Sequence, residues 1–296
     1  MILQWLRRAS LRQQFAVYVV INLILLSQLP ARAQATAAKD AASQGTEESA
    51  SADVARREKV RLASFAVKAE LPESPGQMGP FGDMQVDMWK MVERIDKAAR
   101  DKSIAGAVFR IEQPIIGRGK LAELRAAIQR FRDSGKKAYA QLELATPVDY
   151  LLATACDEIV MPESGAILLP GVHAEATFYK GLLEKLGVEA DFLHIGPYKG
   201  AASPLTHDKL TEPLRENLTA IIDDVYDQLV TTIATDRLLT VDKAKGIVDQ
   251  GIITARDAHE AGLVDRLAYP DQLRADLAED HHAEPLVYVE NYGKKE

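Results

Sequence analysis

"IAGAVFRIEQPIIGRGKLAELRAAIQRFRDSGKKAYAQLEL", residues 104–144, holds a short apolar run, an amphipathic stretch and a second apolar run, in that order. The first run, 104–111, predicts a buried strand. Leu121, Leu124, Ile128 and Phe131 then recur at helical spacing, and Gly135 supplies the stop. Residues 136–144 predict the next strand. A strand–helix–strand unit of this length joins parallel strands through a right-handed crossover. Working outward, the same alternation continues. Residues 60–71 predict a strand, and 87–101 a helix with Met88, Met91, Val92, Ile95 and Ala99 on one face. Residues 147–156 predict a helix that opens on a proline, and 157–161 a strand. A helix over 178–187 and a strand over 189–195 follow, then a long helix over 212–237. Shorter helices are predicted over 241–251 and 255–262, the last ending on Gly262. The tail, 283–296, predicts one more strand and a polar end that caps nothing. The pattern implies an α/β fold of repeated strand–helix units with a mainly parallel sheet, plus C-terminal helices.

The chain has 296 residues and 47% hydrophobic content, enough for one large domain or two small ones. A net charge of −7 argues against a nucleic-acid partner, which calls for a basic excess. Cys156 is the only cysteine, so no intrachain disulfide can form. At the N-terminus, Arg7, Arg8 and Arg12 precede an apolar run broken only by Asn22, Ser27 and Gln28, and "ARA" follows at 31–33. That order predicts, over residues 1–33, either a cleaved export signal or an N-terminal membrane anchor through residues 15–29. The run is short for a membrane span, which needs about 20 residues. The expected location is outside the cytoplasm, either periplasmic or anchored to the outer face of the inner membrane. Residues 34–58 are rich in Ala, Ser, Glu and Gln and carry one large apolar residue, Val54. They predict a flexible linker, with the folded part beginning near residue 59.

The available chemistry is narrow. The six histidines show no metal-ligand spacing, so neither a metal nor a cofactor is expected. No Gly-x-Ser-x-Gly occurs, and Ser164 and Ser203 read as turn residues. "IIGRGK" (115–120) lacks the spacing of a phosphate-binding loop and reads as a turn before a helix. One lysine stands out. In "HIGPYKGAASPLTHDKL" (194–210), Lys199 lies among small and apolar neighbours with no adjacent acid. Two readings stay open: a solvated loop lysine, or a general base that desolvation keeps neutral.

The loop "GPYKGAASPLT" resembles the Tyr-Lys loop of the signal peptide peptidase A, or protease IV, family. Residues 131–143, 149–171, 211–240 and "IVDQGIITARDAHEAGLVDRL" (247–267) are similar to the same family, the last also to the wider ClpP/crotonase superfamily. The resemblance implies a ClpP/crotonase-like fold and a serine peptidase of the Ser–Lys type acting on peptides in the cell envelope, such as cleaved signal peptides. It carries the general-base role to Lys199. The family's nucleophile opens a helix in "Ser-Gly-Gly-Tyr-Tyr". Here the matching stretch is "ATPVDYLLA" (145–153), which puts Pro147 at the serine's position with Thr146 beside it. The family's oxyanion glycines have no counterpart in "FRIEQPIIGRGK" (109–120). The expectation is a half that donates the base and works as an oligomer or with a serine-bearing homologous half. The competing expectation is a non-catalytic scaffold or peptide-binding half. An acyl-CoA hydratase reading is weaker, for want of a convincing pair of glutamates.

Overall fold

The computed structural model describes residues 59–73, 87–193, 195–283 and 285–293. The expected signal, anchor and linker lie outside these residues. All described residues belong to one unit, Lys59–Glu296. In chain order the elements begin β1 (Val60–Glu70), α1 (Met88–Arg100), β2 (Gly106–Ile115), α2 (Arg118–Asp133) and β3 (Lys137–Gln141). Next come β4 (Leu144–Ala145), α3 (Pro147–Ala153), β5 (Glu158–Met161) and β6 (Ala166–Leu169). They are followed by α4 (Lys180–Lys185), α5 (Ser203–Thr206), α6 (Glu212–Asp236) and α7 (Val241–Val248). The chain continues through β7 (Gly251–Thr254), α8 (Ala255–Glu260), β8 (Arg266–Leu267), α9 (Pro270–Asp280) and β9 (Leu286–Val289).

Six strands form one sheet in the order β8-β5-β3-β2-β1-β9, and every pair in it is parallel. A smaller sheet, β4-β6-β7, pairs β4 with β6 in parallel and β6 with β7 antiparallel. The fold is therefore α/β with a mainly parallel sheet, as the alternation predicts. The central strands are covered on both faces, so their period of two sorts residues between two cores rather than between core and solvent. On β1, Ala63, Phe65 and Val67 join the larger core, and Leu62 joins the smaller one. On β2, Phe109 and Ile111 go one way and Val108 the other; on β3, Tyr139 faces away from Ala138 and Ala140. The larger core takes the predicted apolar faces of α1 and α2, including Met91, Ile95, Leu124, Ile128 and Phe131. The smaller core is closed by Leu273 and Leu277 of α9.

Two expectations are corrected. Residues 189–195 form no strand: of these, 189–193 and 195 are described, and they have no sheet partner. A β-pattern becomes a strand only where a neighbour supplies hydrogen bonds. The Lys199 loop therefore does not follow the end of a sheet strand. The tail, by contrast, caps a great deal. Tyr292 is buried against Phe65, its hydroxyl donates to Asp101 at 2.8 Å, and its carbonyl accepts from Arg94 Nε. An aromatic ring with a polar tip fits a boundary between core and rim.

Candidate functional site

β4 delivers the chain to Thr146, whose extended backbone (φ −76°, ψ 171°) makes it the N-cap of α3. Its hydroxyl accepts from the Asp149 N–H at 3.5 Å, and Asp149 Oδ2 accepts the Thr146 N–H at 2.7 Å. This is a reciprocal capping box, with Pro147 as the first helical residue. The Thr146 hydroxyl thus serves the helix as an acceptor, and Pro147 has neither a hydroxyl nor an N–H. Asp149 is fully buried. Burial pushes its carboxyl pKa up, against the pull of the hydrogen bonds from Thr146. Its Oδ1 is buried with no hydrogen-bond partner among the described residues. The next residue, Tyr150, is also buried and donates to the Leu263 carbonyl at 2.9 Å, pinning α3 from below.

α3 forms one wall of an open groove of about 280 Å³. Pro147, Val148 and Leu151 face Leu121 of α2, Leu229 of α6 and Val172 across it. Arg118 and Gln228, hydrogen-bonded to each other, also border it. Below, Arg125 donates to Asp236 and to the Thr154 hydroxyl, each at 2.8 Å, and Thr154 donates to Asp236 at 2.6 Å. This network fixes α2, α3 and the end of α6 around the groove. A mostly apolar wall with few polar groups suits an apolar stretch of chain.

Lys199 is elsewhere. It does not line this groove. It is exposed, precedes a single 3-10 turn (Gly200–Ala202), and makes no ion pair among the described residues. Leu214 closes over Gly200, where a Cβ would come within 3.0 Å of its side chain. Next to Lys199, the Tyr198 hydroxyl donates to Glu216 at 2.8 Å, which raises the phenol's pKa. Ser203 is buried at the start of α5, whereas Ser164 is exposed. The surrounding segment is studded with exposed apolar side chains: Leu182, Leu186, Phe192, Leu193 and Ile195, with Ile221 on α6. No residue of α6 before Leu229 is buried. Pro147, next to Thr146, therefore lines the groove, and Lys199, on an exposed segment, does not. Gly117 is the N-cap of α2, so 115–120 does form a turn before a helix, and a Cβ at Gly117 or Gly119 would meet open space.

Sequence reasoning missed Asp149 and the Arg125–Asp236 pair. The first had a signal, since Thr146-x-x-Asp149 ahead of an apolar run is the spacing of a capping box. The second had none, because its partners lie 111 residues apart.

A profile described as Peptidase family S49 matches residues 130–284. The chain is 30% identical over 190 residues to "Serine protease SPPA, chloroplastic" of Arabidopsis thaliana, covering 64% of this chain and 28% of that protein. It is 28% identical over 195 residues to "Protease 4" of Salmonella typhi, covering 61% and 31%. A third relative, "Putative signal peptide peptidase SppA" of Enterococcus faecium, is 24% identical over 246 residues, covering 83% and 70%. The chain thus spans under a third of the length of the first two relatives. Among solved structures, a mutant of the membrane-bound stomatin-specific protease 1510-N is 10% identical at a TM-score of 0.43, covering 73% of this chain and 84% of that one. An enoyl-CoA hydratase/isomerase family member is 15% identical at a TM-score of 0.39, covering 66% and 64%.

Proposed function

The chain belongs to peptidase family S49, and from that membership we propose that it is the base-donating component of a Ser–Lys peptidase whose serine comes from a homologous half or subunit. The observation that carries the reading is the start of α3. Pro147 stands at the position that the resemblance gives to the nucleophile, and the neighbouring Thr146 hydroxyl accepts a capping hydrogen bond from the helix. Lys199, in the Tyr-Lys loop, makes no ion pair among the described residues, and the chain just before it exposes Phe192, Leu193 and Ile195, apolar side chains that a partner would cover. A lysine acts as a base only when neutral, and desolvation by a partner favours that form.

In the assembled site, the partner's serine oxygen bonds to the peptide carbonyl carbon as Lys199 Nζ takes the hydroxyl proton. The C–N bond then breaks, and the same proton passes to the leaving amine. Water next attacks the acyl-serine, giving its proton to the lysine and then to the serine oxygen. The substrates we propose are peptides of the cell envelope, such as released signal peptides, with an apolar stretch along the Pro147–Leu229 groove. The order of charge and apolar residues over 1–33 supports an exported or membrane-anchored location. Among the described residues no helix is long and apolar enough to cross a membrane.

A second reading, a scaffold without catalytic part, is favoured by the same Pro147. One experiment separates the two. A serine-bearing S49 homologue whose own lysine is replaced is mixed with this chain, and turnover of a fluorogenic peptide is followed. Restored activity with the natural chain and none with Lys199→Met is expected. Equal restoration by both would leave only the scaffold. Fluorophosphonate labelling of this chain alone, on Thr146 or Ser203, would overturn both readings.

A further inference from the structure

A different cavity, of about 520 Å³, lies at the carboxyl ends of β3 and β5, beside β2 and β9 and next to the start of α9. The carboxyl ends of parallel strands are where α/β sheets gather ligands, and the volume is within the usual range of small-molecule sites. None of the residues lining it borders the Pro147 groove.

Two of its lining residues carry buried polar atoms with no hydrogen-bond partner among the described residues: Arg110 Nε and Tyr288 Oη. Arg110 is otherwise held by Glu290, at 2.9 Å from its Nη2. Arg274 stacks on the Tyr288 ring at 5.4 Å. Burial raises the Tyr288 pKa, so the phenol stays a neutral O–H donor. A buried donor without an acceptor is costly and calls for a reason. The cavity is also lined by Glu143 and by Glu112, whose exposed carboxylate lies 3.8 Å from Lys68 Nζ, with the half-exposed ring of Tyr269 as a wall.

This mixture discriminates between ligand classes. An anion would meet Arg110 and Tyr288 but would also face Glu112 and Glu143. An amine would suit the carboxylates but leave Arg110 Nε and Tyr288 Oη without an acceptor. A hydroxyl group is both donor and acceptor, so a ligand bearing several of them serves both sets at no charge cost. Its C–H face can rest on Tyr269. We infer that this cavity is a binding site for a neutral polyhydroxylated ligand, a free saccharide or the glycan of a larger molecule.

The test uses the full chain, with saturation-transfer NMR and calorimetry against glucose, N-acetylglucosamine and a soluble N-acetylglucosamine oligomer. Acetate and putrescine serve as anionic and cationic probes. Saccharide binding is expected, weakened about tenfold by Tyr269→Ala and by Glu143→Gln, as losing one good contact implies. The Glu143 side chain is exposed, so Glu143→Gln should not move the melting temperature, whereas Tyr269→Ala, at the half-exposed N-cap of α9, should lower it slightly. Tighter binding of the oligomer than of the single sugars assigns the site to a glycan, and equal binding assigns it to free sugars. Binding of acetate or putrescine with the sugars silent, silence from all probes, or sugar binding unchanged in both variants would each overturn the assignment.

Discussion

Asp149 carries a fully buried carboxyl that caps α3 in surroundings that oppose its own ionisation. Because burial raises its folded-state pKa, its contribution to stability is fully present below the ordinary value of 3.8 and is lost as pH rises through the raised value. Asp149→Asn keeps an acceptor for the Thr146 N–H and removes the ionisation. The variant should therefore be at least as stable as the natural chain at neutral pH, with the difference vanishing below about pH 4. Asp149→Ala deletes the acceptor as well and should lose about 1–2 kcal/mol at neutral pH. Urea unfolding at pH 3.5 and pH 7 compares all three, on either side of the ordinary carboxyl pKa of about 3.9. An Asn variant less stable than Ala would show that the charge itself is needed.

Two turns decide how the elements join. Between β5 and β6, Gly165 leaves no room for a side chain: a Cβ would lie 2.5 Å from Met161 Cγ and 2.6 Å from the Glu143 carbonyl. The carbonyl belongs to backbone next to β4 and cannot swing away, so Gly165→Ala should cost about 1–3 kcal/mol, read as a lowered urea midpoint. After α1, Asp101 accepts from the Ser103 hydroxyl and N–H and from the Tyr292 hydroxyl, which hold its pKa at about 2. A lowered carboxyl pKa stabilises above the ordinary 3.8, and that contribution is lost as pH falls through about 2. Asp101→Asn should flatten the acid limb of the stability curve, and an unchanged limb would remove Asp101 from it. At this scale much was legible. Strands β1, β2, β3, β5 and β9 and the long helices announce themselves by period, since their apolar residues outnumber any competing signal. Strands β4 and β8, two residues each, carry too little pattern to read, and α9 is masked by its charges. Residues 189–195 misled because β-propensity was present and a partner strand was not. At the candidate site, the start of α3 at Pro147 could be placed from the sequence. The capping role of Thr146 could have been, through Asp149. The separation of Lys199 from the groove depends on tertiary packing that no local pattern records.

For the molecule as a whole, Lys199 contributes nothing to the packed core, being exposed and without an ion pair among the described residues. Lys199→Met should leave thermal unfolding within about 0.5 kcal/mol of the natural chain, so any loss of activity in an assembly reports on chemistry. A melting temperature lowered by several degrees would instead place the residue in the fold. The sheet edge has a further effect. β1 is the first strand of the described unit and β9 the last, yet they pair directly from Val60↔Leu286 to Ala63↔Val289, and Ser64 reaches Glu290 across 226 positions. During synthesis the outer edge of β1 waits, unpaired, for nearly the entire unit to leave the ribosome. A chain whose first strand is closed by its last has a high contact order and folds slowly. It keeps an open, aggregation-prone edge in the interim, so a chaperone that covers β1 until Tyr292 has emerged should raise the yield of folded protein more than one acting after release.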